Sequence, residues 1–327
     1  TRVAGWGPPV SARLPAEGLA AVRVLVVGDI MLDRYWLGDV ERISPEAPVP
    51  VIGVSETEER PGGAGNVAAN VTALGARCQL LSFVGDDEAG RRLNDLLGKA
   101  RIDRHLHIDP SSRTTEKLRI VSRNQQLLRA DFEQRPDEEI LERSLEDYRA
   151  LLSEASIVVI SDYGKGGLAY VETMISIAGK AGVPIIVDPK GIDFARYRGA
   201  TLVTPNLKEF EAVAGQVASE EDFEIKAAAM LEKYGFGALL VTLGEKGMVL
   251  FRPGAAKVYR SAHAREVFDV SGAGDTVVAV AAIGFAANLP WADTLELATR
   301  AASAVVTRFG TSVATPADLE TSDEGNR

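Results

Sequence analysis

Asp275 stands in the stretch "FDVSGAGDTVVAVAAIGFAANL", directly after Gly272, Ala273 and Gly274 and directly before a segment that is apolar on nearly every face. Glycines leave little bulk above the backbone amides, so a ligand can approach them closely. If a helix begins near Asp275, its free amides and dipole form an anion site. A carboxylate beside an anion is unfavourable unless it has a task. Phosphoryl transfer supplies one, because donors must hold charge on the moving group while a carboxylate takes the proton of the attacking hydroxyl. The competing reading is a carboxylate that stabilises the first helical turn.

Other groups with chemical potential lie far away in the chain. "RPGGAGNVAANVTALG" places Gly62, Gly63 and Gly65 ahead of a helical pattern. It has neither the dinucleotide fingerprint nor the G-K-[ST] ending of a P-loop. It offers backbone donors and the Asn66 amide, suited to a polyol, or else a tight strand-to-helix turn. Asp29 and Asp33 follow the apolar run Val22–Val27, where they can meet a ligand at a strand end or cap a turn. Asn206 and Glu209, spaced i, i+3, suit Mg²⁺, which takes few protein ligands and keeps its waters; a helix-capping box is the alternative. Thr242, Gly244 and Gly247 sit in a glycine-rich turn between two apolar runs, fit either for a nucleotide or for a hairpin. Lys117, Arg119 and Arg123 lie on alternating strands, where they catch a phosphate or face solvent.

The elements that must position these groups are short β-branched runs separated by amphipathic segments: "VRVLVV", "CQLLSFVG", "SIVVIS", "VPIIVD", "TLVT" and "ALLVTLG". Continuous apolar strands alternating with helices imply a parallel sheet covered on both faces, hence a doubly wound α/β fold. Two regions break the rhythm, about 35–57 and 105–132, and are expected to form antiparallel strands outside that sheet, as a lid over its carboxyl edge. The expected division is a loose extension over 1–20, one domain over 21–316 with this discontinuous lid, and a tail over 317–327.

The chain has 327 residues, 46% of them hydrophobic and 25% charged, with a net charge of -10. That composition is globular, and the absence of a basic stripe argues against a nucleic-acid partner. The lone Cys78 excludes an internal disulfide and fits a reducing compartment. The first eighteen residues lack a continuous apolar core of a signal peptide, and the apolar stretch after Asp275 is too short to span a bilayer. A cytoplasmic protein without membrane insertion is expected.

Together and in this order, the motifs resemble the ribokinase-type (PfkB) sugar kinases over almost the whole chain, from about Val22 to Thr315. "GGAGNVAANVTALG" is similar to the family's amino-terminal signature and "DVSGAGDTVVA" to its carboxyl-terminal one, with Ser271 where Thr is usual. The resemblance implies a ribokinase-like fold and ATP and Mg²⁺ as cofactors. It implies Asp275 as catalytic base, an anion hole from Gly272, Ala273 and Gly274, and Mg²⁺ and phosphates organised by Asn206 and Glu209. It further implies nucleotide contacts at Thr242 and Gly244, and sugar contacts at Asp29, Gly63 and Asn66; Gly247 for the nucleotide, and Asp33 and Gly62 for the sugar, are candidates beside them.

Longer runs, "GDIMLDRYWLGDVERISPEAPVPV", "SRNQQLLRADFE", "SDYGKGGL" and "DPKGIDFARYRGATLVTPNLKEFEAV", resemble the branch that phosphorylates a heptose 7-phosphate on the anomeric oxygen, a step towards ADP-heptose and lipopolysaccharide. The alternative is a kinase of ribose or a ketose phosphate. No H-x-G-H motif of a fused nucleotidyltransferase occurs, so a stand-alone kinase is expected. Arg119 and Lys165 are candidates for the sugar's phosphate, and Lys190 for those of ATP. Exposed lid strands suggest a homodimer formed through them.

Overall fold

The computed structural model describes residues 13–14, 18–123, 125–263 and 267–320. The expected extension over 1–20 and tail over 317–327 fall largely outside the described residues. At both ends, however, the ordered domain reaches further than expected. Leu19 is buried in the core, and a short helix, Pro316–Leu319, seats Leu319 there too.

A nine-stranded sheet forms the centre. In chain order its strands are β1 (Arg23–Gly28), β4 (Arg77–Gly85), β5 (Asp103–Asp109), β8 (Ile157–Ser161), β9 (Ile185–Asp188), β10 (Leu202–Val203), β11 (Leu239–Thr242), β12 (Met248–Phe251) and β13 (Val258–Arg260). Their spatial order is β13-β12-β11-β10-β9-β8-β1-β4-β5, parallel from β11 to β5, with an antiparallel β11–β12–β13 edge.

Period-two alternation divides each strand between two cores. Val24 and Val26 face a cluster with α1 (Ala64–Ala73), α2 (Glu88–Lys99), α7 (Ala273–Ala286) and α8 (Trp291–Val305). Leu25 and Val27 face another with α3 (Glu138–Leu152), α4 (Val171–Ala181), α5 (Leu207–Ala214) and α6 (Glu220–Tyr234). The fold is therefore the doubly wound α/β arrangement expected. Among the described residues no helix is long and apolar enough to cross a membrane.

A second sheet of four strands, ordered β3-β2-β6-β7, is built from β2 (Ile30–Ile43), β3 (Pro50–Gly63), β6 (Glu116–Ser122) and β7 (Gln125–Phe132). It corrects the expected lid in two ways. The stretch 105–109 belongs to β5, paired parallel with β4. It is an edge strand whose residues are mostly half-buried or exposed, so it lacks the continuous apolar run that marks the inner strands. The lid is also not wholly antiparallel: β2 pairs parallel with β6, because the chain passes through α1, β4, α2 and β5 between them.

Arg34 of β2 ties this sheet down. Its guanidinium reaches Glu59 of β3 at 2.8 Å, Glu116 of β6 at 2.9 Å and Glu88 of α2 at 2.7 Å.

Candidate active site

Parallel strands end together, so side chains just past their carboxyl ends converge. Here β8 delivers Asp162 and Tyr163, β9 delivers Asp188, the turn after β10 delivers Asn206, and β11 delivers Thr242. With Lys190, Glu209, Gly272, Gly274 and Asp275 they line a cleft of about 190 Å³. Thr242 and Gly274 also line an adjoining pocket of about 140 Å³, together with Gly244, Gly247, Ala273 and Ser303.

Asp275 enters this cleft from the first turn of α7. Gly272 precedes that helix with φ 79°, the left-handed region that glycine adopts without strain. A Cβ there would also lie 2.5 Å from Nδ2 of Asn66. Asp275 is only 3% exposed. Its Oδ1 accepts a 2.6 Å hydrogen bond from the Tyr163 hydroxyl, and its Oδ2 a 2.7 Å bond from Nδ2 of Asn66. Burial pushes the carboxyl up to about 6; these two bonds pull it down, Asp33 raises it and Lys117 lowers it. A carboxylate poised in that range can both hold and release a proton near neutrality.

Of the three glycine-turn amides expected at the anion hole, that of Ala273 donates to the Val270 carbonyl at 3.3 Å. Gly272 and Gly274 line the cleft, and Ala273 lines the adjoining pocket.

Asn206 and Glu209 do form a capping box at the start of α5. The Glu209 amide donates to Oδ1 of Asn206 at 3.0 Å, and the Asn206 amide to Oε2 of Glu209 at 3.1 Å. Oε1 of Glu209 faces Nζ of Lys190 at 3.4 Å. The two readings of this pair are thus not exclusive, since the cap fixes both side chains at the cleft wall. Asp188, which sequence reasoning missed, lies opposite. Burial, then the charges of Asp275 and Glu209, hold its carboxyl well above the usual carboxylate range. Such carboxylates facing one cleft fit a divalent cation. Among the described residues no three acidic, His or Cys side chains converge tightly enough to cage one.

The sugar-side expectations separate. Asp29 is 1% exposed and directed into the protein. Its Oδ2 accepts from the amides of Tyr163 at 3.0 Å and Lys165 at 2.9 Å, and its Oδ1 from that of Gly167 at 3.0 Å. With both oxygens committed to backbone, it holds a loop and has no face for a sugar hydroxyl. Asn66 holds the base. Gly63 forms the tight turn into α1, and Gly62 packs against Asp33, whose Oδ2 a Cβ would meet at 2.3 Å.

Asp33 remains beneath the lid, bound by Arg119 at 2.6 Å, with the Arg119 guanidinium 5.0 Å from the centre of the Tyr35 ring. Lys165 is paired with Glu133. Nζ of Lys117 lies 5.7 Å from the centre of the Tyr163 ring, and burial pulls its pKa down, with Arg119 and Lys165 nearby as like charges. Tyr163, Asp162 and Asp188 carry no spacing motif. Their signals were position at the ends of "SIVVIS" and "VPIIVD" and a place within the runs "SDYGKGGL" and "DPKGIDFARYRGATLVTPNLKEFEAV".

Residues 22–318 match the model of the pfkB family of carbohydrate kinases. The chain is 51% identical over 314 residues to the bifunctional protein HldE of Methylococcus capsulatus, covering 96% of this chain and 66% of that protein. The HldE of Pectobacterium carotovorum is 50% identical, with 92% and 63% covered. The chain thus spans a little under two thirds of the length of these relatives. Among solved structures, phosphofructokinase-2 from Escherichia coli in complex with substrates and products superimposes with a TM-score of 0.79 at 22% identity, covering 91% of this chain and 97% of that one. Arabidopsis thaliana ribokinase complexed with ribose and ATP does so with a TM-score of 0.72, also at 22% identity, covering 91% and 97%. The chain belongs to the pfkB family of carbohydrate kinases, ATP-dependent sugar kinases of ribokinase-like fold.

Proposed function

We propose that the protein phosphorylates D-glycero-β-D-manno-heptose 7-phosphate on its anomeric oxygen, yielding the 1,7-bisphosphate for ADP-heptose and lipopolysaccharide synthesis. The observation that carries the kinase chemistry is Asp275, a buried carboxylate held by Tyr163 and Asn66 at the mouth of a glycine-turn anion site. A phosphorylated acceptor is favoured by Lys117, Arg119 and Lys165, three cations gathered beneath the lid close to Asp33. The heptose itself rests on the long runs that resemble heptose 7-phosphate kinases, and on relatives near 50% identity that share one name.

In this reading the adenosine end of ATP occupies the pocket of Thr242, Gly244, Gly247 and Ala273, and its phosphates extend into the adjoining cleft towards Lys190. Glu209, through water, and Asp188 would hold Mg²⁺, which would neutralise phosphate charge when bound. Asp275 takes the proton of the anomeric hydroxyl, whose oxygen forms the new bond to the γ-phosphorus as the bond to the ADP oxygen breaks. The amides of Gly272 and Gly274 hold the charge that develops on the transferring group. The lid excludes water, which would otherwise compete as acceptor.

A homodimer through the lids belongs to the same proposal, supported by Ile43, Val49, Val54 and Leu128, large apolar side chains exposed on or beside lid strands. So does a cytoplasmic location, where ATP is supplied.

ADP release measured against a panel of sugars and sugar phosphates tests the reading. Turnover of the heptose 7-phosphate well above that of fructose 6-phosphate and ribose is expected. The reverse preference would replace the substrate, and undiminished turnover by Asp275→Asn would remove the base.

A further inference from the structure

Asp29 lies too deep to touch an acceptor, yet it spends a whole carboxylate on one short loop. Residues 162–167 leave β8 and turn back across the sheet edge, with Gly164 at φ 69° and Gly166 at φ 102°. Asp29 takes three of this loop's amides, those of Tyr163, Lys165 and Gly167. Gly167 makes the approach possible, since a Cβ there would lie 2.7 Å from Oδ1 of Asp29 and 2.5 Å from the Phe83 ring. The loop is therefore fixed from beneath by a group just past β1, beside its own Asp162, whose Oδ1 accepts from the Gly164 amide at 2.8 Å and whose Oδ2 accepts from the Tyr197 hydroxyl at 2.7 Å.

What the loop carries into the cleft is Tyr163, whose hydroxyl donates to Oδ1 of Asp275. Fixing both the backbone amide and the hydroxyl of one tyrosine leaves its ring little freedom. The second oxygen of Asp275 is held independently by Asn66 of α1. A carboxylate held at both oxygens by donors on separate elements cannot rotate about its Cβ–Cγ bond. Each oxygen keeps a lone pair, so one direction in the cleft stays open for an incoming proton. Asp33, Lys117 and Asp188 are the charged groups that face Asp275 across this arrangement.

We propose that Asp29 and Tyr163 are positioning residues that act in series, Asp29 fixing the 162–167 loop and the Tyr163 hydroxyl fixing the Asp275 carboxylate for the transfer step. The inference rests on the kinase reading above and deepens it. It makes Asp29 a determinant of turnover and not of sugar affinity. Orientation of a reacting group is sensitive to small displacements, and a shift of about 1 Å can cost about a hundredfold in rate.

The test is a double-mutant cycle of Tyr163→Phe and Asp29→Asn, read as kcat and KM for acceptor and ATP, with a crystal structure of the Tyr163→Phe protein alongside. Each single variant is expected to lose kcat by about ten- to a hundredfold with both KM values within about threefold of wild type. The double variant is expected to be little worse than either single one, because residues acting in series are non-additive. The crystal structure is expected to show the Asp275 carboxylate rotated away from its Tyr163-bonded orientation. Additive losses, or a raised acceptor KM at unchanged kcat, would overturn the series arrangement. An unrotated Asp275 in the variant would overturn it even if no sugar on the panel is turned over, which separates its failure from that of the kinase reading.

Discussion

Tyr163 and Asp275 are 112 positions apart, yet the phenol of one meets the carboxylate of the other at 2.6 Å. The contact joins the end of β8 to the start of α7 and completes the cradle that Asn66 begins.

Removing the charge of that carboxylate has opposite effects on rate and stability. Asp275→Asn is expected to lose about a thousandfold in kcat, within the usual contribution of a general base. Its folded carboxyl titrates near 6, above the ordinary 3.8, so the wild-type fold loses stability as pH rises through about 6. At 1.36 kcal/mol per pH unit that separation is worth about 3 kcal/mol, less whatever the amide loses in hydrogen bonding. Urea unfolding at pH 8 should therefore find the variant more stable, and at pH 4 the two proteins should coincide.

The same titration sets the acid limb of the rate. Asp275 accepts a proton only when ionised, so kcat should fall about tenfold per pH unit below about 6 and level off above about 7. A pH–rate profile at saturating substrates measures it. A limb near 4 would mean that the bound substrates remove the effect of burial.

Lys117 offers a cleaner test of the acceptor's phosphate than Arg119, which Asp33 already engages. Lys117→Met should raise KM for a sugar phosphate by about ten- to a hundredfold, the worth of one charged hydrogen bond. KM for ATP should stay within about twofold. Equal weakening of both substrates would place the residue elsewhere in the cycle.

Arg34 anchors the small sheet through Glu59, Glu88 and Glu116. Arg34→Met leaves Glu88 and Glu116 without their cation, while Glu59 keeps Arg92. A loss of about 2–3 kcal/mol is expected, below the 3–5 kcal/mol of a fully buried pair because Glu88 is largely exposed. Urea unfolding reads it directly, and a change under about 0.5 kcal/mol would show that the lid is held by its ladders alone.

Much of this was legible because it is periodic or local. The apolar runs of β1, β8 and β9 and the glycine turn before α7 declare themselves within a dozen residues. Asn206 and Glu209 declared a cap and a ligand pair at once, and the cap stands in the structure. What stayed hidden depends on distant neighbours. Asp29 looked like a sugar ligand because it follows a strand, and only the fold discloses the three amides that occupy it. Tyr163 and Asp188 are single residues whose partners come from other strands. The stretch 105–109 was misplaced because an edge strand lacks the continuous apolar run that marks the inner strands.

The parallel pairing of β2 with β6 also dictates an order of assembly. From Gly63 to Glu116 the chain must first lay down α1, β4, α2 and β5, so β2 and β3 wait as a hairpin while two more strands join β1 in the large sheet. Contacts between distant segments close late, and a strand whose partner has not arrived presents an unpaired edge. A nascent chain halted before Glu116 would therefore expose the β2 edge to other copies of itself, long before α7 brings Asp275 to the site.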